Sequence, residues 1–185
     1  LCQKSKVFQS KSKSQSAFYV FASLTPSGRA SEAKGERSVS SLLSNLKVLV
    51  ADDHFLIRQF VRNTLQESKI TNVQTAADGN EAIDLVQKAY DASQPYDIVF
   101  LDWNMPTISG LEVLSFFRAK AEYSQTAFVM LTAESEQQNI MKAIKAGATS
   151  YIIKPVSPAD LGKKLLEIHE WIKRKRQAVQ AMGGY

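Results

Sequence analysis

From residue 46 onward the apolar positions form two alternating kinds of pattern. Short continuous runs stand at 46–51 (LKVLVA), 97–101 (DIVFL), 127–131 (AFVML) and 151–153 (YII), with a weaker, more polar run at 72–77 (NVQTAA). Uninterrupted runs rich in β-branched and aromatic residues suit strands buried on both faces, and hence a parallel sheet. Stretches of helical period lie between them. Ile57, Phe60, Val61, Thr64 and Leu65 share one face, and Ala82, Leu85, Val86 and Ala89 share another. Leu111, Leu114 and Phe117 follow Gly110, while Ile140, Ala143 and Ile144 precede Gly147, a candidate helix terminator. The fifth pattern is the clearest, with Leu161, Leu165, Ile168 and Ile172 at i, i+4, i+7 and i+11. Ser157 as N-cap, Pro158 at the first helical position and Asp160 three residues after the cap signal its start.

Each predicted strand is thus followed by a predicted helix, five times over. Short connections imply right-handed crossovers and helices on both faces of the sheet. The expected fold class is a small α/β domain with a doubly wound, five-stranded parallel sheet, spanning residues 46–176. Residues 177–185 read as a C-terminal tail. No Gly-x-Gly-x-x-Gly or Walker loop is present, which removes most of the case for nucleotide binding.

Residues 1–45 lack sustained periodicity and are rich in Ser and Lys, the composition of a disordered tail or linker. Within them, residues 17–24 (AFYVFASL) follow four lysines and no acids, the outline of a short secretory h-region or of a Ser-rich transit peptide. No convincing cleavage site follows, and the sequence starts with Leu rather than Met.

Charge changes the picture only when it is divided. The net charge is +5, and residues 1–45 hold seven basic against two acidic residues, so the whole excess lies there. The remainder is neutral and gives no global case for nucleic-acid binding. With 44% hydrophobic and 22% charged residues over 185 positions, a packed core is expected and a transmembrane span is not. One cysteine excludes an internal disulfide framework, and two histidines speak against a histidine-rich zinc site.

Ligands of open α/β sheets bind at the carboxyl ends of the strands. There the sequence has Asp52 and Asp53 after strand 1, Asp102 after strand 3, Thr132 after strand 4 and Lys154 after strand 5. Two like charges 4 Å apart repel by about 4 kcal/mol at an effective dielectric of ~20, so three carboxylates together call for a cation or for raised pKa values. Hard oxygen donors suit Mg²⁺, and Mg²⁺ suits phosphoryl groups. Lys154 can neutralise a phosphoryl oxygen and Thr132 can donate a hydrogen bond to another. Asp102, alone at the end of the central apolar strand, is the candidate nucleophile for phosphoryl transfer.

The motifs VLVADD (48–53), LDWNMP (101–106) followed by SGLE (109–112), MLTAE (130–134) and AGATSYIIKP (146–155) resemble the receiver domains of two-component response regulators. The resemblance covers residues 46–172, and DWNMP is especially similar to chemotaxis regulators of the CheY type. It implies a flavodoxin-like fold with strand order 2-1-3-4-5. It further implies that Asp102 is the phosphoacceptor for a histidine kinase. Mg²⁺ would be held by Asp53, Asp102 and the backbone carbonyl of Asn104, with Asp52 acting through water. Thr132 and Lys154 would contact the phosphoryl group, and Thr132 with Tyr151 would form the switch. Asn104 and Glu134 would tune its lifetime, and Pro155 would follow a cis peptide bond.

The expectation is a cytoplasmic single-domain regulator without a DNA-binding domain, not an enzyme beyond its own dephosphorylation. It would signal through the helix 4, strand 5 and helix 5 face, to a flagellar motor switch or a phosphatase. The receiver of a larger hybrid kinase, a relay intermediate or a scaffold are alternatives. So is a small Mg²⁺-dependent phosphohydrolase, although such enzymes typically carry an acid where Asn104 stands. Two features depart from the resemblance. His54 follows the acid pair and reads as a surface residue at a helix N-terminus, and the basic run 173–176 extends the last helix as a solvated end.

Overall fold

The computed structural model describes residues 43–133 and 137–182. The expected tail at 1–45 lies outside them except for its last three residues, of which Leu43 is already buried in the core. The element order is β1 (Lys47–Ala51), α1 (Phe55–Glu67), β2 (Asn72–Ala76), α2 (Gly79–Asp91), β3 (Ile98–Asp102), α3 (Gly110–Arg118), a 3-10 turn (Ala121–Tyr123), β4 (Ala127–Thr132), α4 (Gln137–Lys145), β5 (Ser150–Ile153) and α5 (Pro158–Met182). The five strands form one sheet in the order β2-β1-β3-β4-β5, and every neighbouring pair is parallel. Both the fold class and the strand order agree with expectation.

Burial follows from the sheet's place between two helical layers. All residues of β3 and β4 are buried, whereas the edge strands β2 and β5 are only partly so. Successive side chains of a strand point to opposite faces. The single run Ile98–Asp102 therefore serves two cores. Ile98 and Phe100 join Val61, Leu65, Leu161, Leu165, Ile168 and Ile172 on the α1/α5 side. Val99 and Leu101 join Ala82, Val86, Val113, Leu114, Phe117 and Ala143 on the side of α2, α3 and α4.

The helix ends obey the signals in the sequence. Ser109 Oγ accepts from the Glu112 N–H, and the Glu112 carboxylate accepts from the Ser109 N–H, a reciprocal cap on α3. Ser157 Oγ accepts from the Asp160 N–H at 3.1 Å, as expected for the α5 cap. Past α4, Gly147 has φ +93°; its N–H donates to Ile144 O and the Ala148 N–H to Ala143 O, a Schellman end.

Three readings of the pattern need correction. Phe60 and Ile144, grouped with inward-facing residues, are 41% and 50% exposed. Both are only partly covered, and Phe60 borders a groove with Leu56, Ile57, Pro155 and Val156. The last helix runs on to Met182, through most of the stretch read as a tail. Its basic residues 173–176 are exposed, and Arg176 pairs with Asp97 before β3.

Candidate functional site

Parallel pairing brings the strand ends to one edge. Asp102, the last residue of β3, lies opposite Leu131 of β4, and Thr132, the last of β4, lies opposite Ile153 of β5. Lys154 follows β5 directly, and its N–H donates to Thr132 O at 2.7 Å. The Lys154–Pro155 peptide bond is cis.

Lys154 Nζ stands 2.7 Å from Asp102 Oδ1 and 2.7 Å from Asp52 Oδ2. Asp52 is fully buried, Asp102 and Thr132 nearly so, and Asp53 is exposed. One oxygen each from Asp52, Asp53 and Asp102 and a ring nitrogen of His54 all lie within 4.8 Å of one another. Burial holds the Asp102 carboxyl above the usual carboxylate range. The hydrogen bond and charge of Lys154 act against this rise, and the charges of Asp52 and Asp53 add to it. Burial alone would lower the Lys154 ammonium, but its hydrogen bonds to Asp102 and Asp52, with their charges, hold it above its usual value. Two buried carboxylates thus share one ammonium, with a third carboxylate, Asp53, beside them, which leaves a deficit of positive charge that a cation can fill.

The loop carrying the acids is fixed from behind. Arg58 Nη1 donates to the carbonyl oxygens of Asp52 and Asp53 at 2.6 and 3.0 Å. The His54 N–H donates to Asp52 Oδ1 at 2.9 Å. Both Asp52 oxygens are therefore engaged by donors, and Asp53 and Asp102 offer the freer oxygens to an ion. The support from Arg58 was not anticipated. Its contacts are to backbone oxygens, which leave no residue pattern to read.

The remaining expected residues fall around this centre. Asn104 is exposed in the loop after β3, and Met105 beside it is buried. The same loop is braced by α3: the Gly110 N–H donates to Trp103 O, and a Cβ at Gly110 would lie 2.1 Å from the Asp102 carbonyl oxygen. Tyr151, half-buried on β5, packs against the core beside α4, and Lys164 Nζ of α5 lies 5.7 Å from its ring centre. Glu134 lies outside the described residues. His54 is the N-terminal neighbour of α1, as expected, but its largely exposed ring also turns onto the acids.

Residues 48–166 match the response regulator receiver domain model. The chain is 36% identical over 129 residues to the chemotaxis protein CheY-3 of Vibrio cholerae serotype O1, a match covering 70% of this chain and 95% of that protein. It is 36% identical over 123 residues to the chemotaxis protein CheY homolog of Campylobacter jejuni, over 66% of this chain and 92% of the other. Among solved structures, the chemotaxis response regulator CheY4 of Vibrio cholerae is similar with a TM-score of 0.60 and 37% identity, over 66% of this chain and 98% of that one. The receiver domain of the Francisella response regulator 1452 is similar with a TM-score of 0.60 and 30% identity, over 71% and 99%.

Proposed function

The chain belongs to the response regulator receiver domain family, and on that footing we propose that it accepts a phosphoryl group from a histidine kinase on Asp102. The observation that carries this reading is the Asp102 carboxylate itself. It ends the central strand, is 4% exposed, and shares the Lys154 ammonium with a second buried acid. A carboxylate oxygen of Asp102 attacks phosphorus, the P–N bond of the phosphohistidine breaks, and its electron pair returns to the imidazole. Lys154 keeps Asp102 ionised for attack and stays to neutralise a phosphoryl oxygen afterwards.

The donor set fits a hard divalent cation. Asp53, Asp102 and the Asn104 carbonyl would hold Mg²⁺, with Asp52 contributing through water, since its own oxygens already accept from Lys154 and the His54 N–H. When bound, the ion supplies positive charge to the phosphoryl oxygens. Thr132 lies one strand away from Asp102 and next to Lys154, so its hydroxyl is within the reach of a small shift. Its movement would free space for Tyr151, and the surface of α4, β5 and α5 would change with it. A partner preferring that changed surface reads the signal by contact. The CheY relatives named above are chemotaxis proteins and favour a chemotaxis role, to which the family resemblance adds a motor-switch or phosphatase partner in the cytoplasm. Among the described residues no helix is long and apolar enough to cross a membrane.

Incubation with acetyl phosphate and Mg²⁺, followed by intact-mass and peptide mass spectrometry, tests the reading. One phosphoryl adduct on the peptide containing Asp102, absent from Asp102→Ala, is expected. An adduct elsewhere, or turnover of small phosphoesters without one, overturns it.

A further inference from the structure

Among the described residues, His54 is the one imidazole at the acidic edge. Its Nδ1 lies 2.7 Å from Asp53 Oδ1 and 3.7 Å from Asp52 Oδ1. Adjacent ligands of a six-coordinate ion with bonds of 2.0–2.1 Å stand about 3 Å apart, and opposite ones about 4 Å. The His54–Asp53 separation is that of a hydrogen bond, a small rotation short of an adjacent ligand pair. The donor atoms of Asp52, Asp53, His54 and Asp102 all lie within 4.8 Å of one another, so gathering Asp53, His54 and Asp102 around one ion takes side-chain shifts of less than about 1 Å. At 2.7 Å the pair is a hydrogen bond in which Nδ1 donates to Asp53; an ion entering between them would take the place of that hydrogen, and the ring, 68% exposed, can then carry its hydrogen on Nε2 in water. The backbone beneath it does not need to move, because Arg58 grips the carbonyls of Asp52 and Asp53 and the His54 N–H is tied to Asp52.

We propose that His54 supplies an imidazole ligand to the divalent cation held by Asp53 and Asp102, turning an all-oxygen site into a mixed nitrogen–oxygen site that favours later first-row cations over Mg²⁺. The inference rests on the reading that the acidic edge binds a divalent ion, and adds the class of ion. Imidazole gains little with Mg²⁺, which prefers oxygen, and gains along the series from Mn²⁺ to Ni²⁺. The side chain makes no cap hydrogen bond to α1, so its replacement leaves the helix start intact.

Calorimetric titration of the full chain with Mg²⁺ and with Co²⁺ gives an affinity ratio for wild type and for His54→Gln. The Co²⁺:Mg²⁺ ratio is expected to fall about tenfold or more in the variant. Pulsed electron paramagnetic resonance of the Mn²⁺-loaded protein reads the ligand directly. A ¹⁴N coupling from imidazole is expected in wild type and in His169→Gln, which removes the chain's other histidine, and not in His54→Gln. An unchanged ratio without ¹⁴N coupling, in a protein that still binds Mg²⁺, overturns the role of His54 and leaves the acidic site standing. If wild type binds neither Mg²⁺ nor Co²⁺, the site reading itself fails.

Discussion

Lys154 Nζ bridges Asp102 and Asp52, two buried carboxylates whose positions are 50 residues apart in the chain, with 2.7 Å to each. That one ammonium holds together the ends of β1, β3 and β5. Removing it leaves two buried like charges without a counter-charge. Lys154→Met is expected to lower stability in cation-free buffer by about 3–5 kcal/mol, the usual cost of breaking a buried pair from one side. Added Mg²⁺ should recover part of the loss, because the ion supplies charge at the same place. Urea unfolding with and without Mg²⁺ measures both effects.

Asp102 carries the opposite sign. Its folded pKa is raised, chiefly by burial, so its contribution to stability is fully present below the unfolded pKa and is lost as pH rises through the folded pKa. Asp102→Asn removes the ionised group. In cation-free buffer at neutral pH the variant is expected to be more stable than wild type. The gap should narrow as pH falls below the folded pKa. Chemical denaturation across that range checks the sign and the narrowing together.

Much of this architecture was legible because burial and periodicity agree. The run 97–101 predicted a fully buried strand, and Ile98–Asp102 is one, displaced by a single residue so that Asp102 closes the strand rather than following it. The four residues Leu161, Leu165, Ile168 and Ile172 are all buried as their spacing predicts. Phe60 and Ile144 show the limit. A pattern identifies a helix face but not the width of the surface that covers it. The site residues were legible as strand-end polar groups, since pairing register turns sequence position into a common edge. Arg58 was not, because it acts on carbonyl oxygens that any sequence would supply.

The cap on α3 gives a second pH-dependent test. Hydrogen bonds from Ser109 hold Glu112 below the usual carboxylate range. Its contribution is present above the unfolded pKa and is lost as pH falls through the folded pKa. Ser109→Ala is expected to cost about 1 kcal/mol at neutral pH. The cost should shrink in acid, as seen in unfolding midpoints measured at several pH values.

Gly110 places α3 against the strand that carries Asp102. A Cβ there meets the Asp102 carbonyl oxygen at 2.1 Å, too close for any rotation to relieve. Gly110→Ala is expected to destabilise by about 1–3 kcal/mol through overpacking, despite the better helix propensity of alanine. It should also weaken Mg²⁺ binding, because the clash displaces the backbone next to a ligand. A titration that finds destabilisation with unaltered Mg²⁺ affinity would confine the effect to packing.

In the proposed function, the edge formed by Asp102, Lys154 and the acids that follow β1 accepts a phosphoryl group and so forms an acyl phosphate on Asp102. Trp103 lies beside Asp102, and Trp171 is the only other tryptophan. In a Trp171→Phe variant, fluorescence therefore reports from the site alone. Titration with beryllofluoride, an acyl-phosphate mimic, in the presence of Mg²⁺ is expected to give a saturable change that needs the cation and disappears in Asp102→Ala. A response that persists in Asp102→Ala would contradict the account, as would a folded protein that gives no change and gains no phosphoryl group from acetyl phosphate.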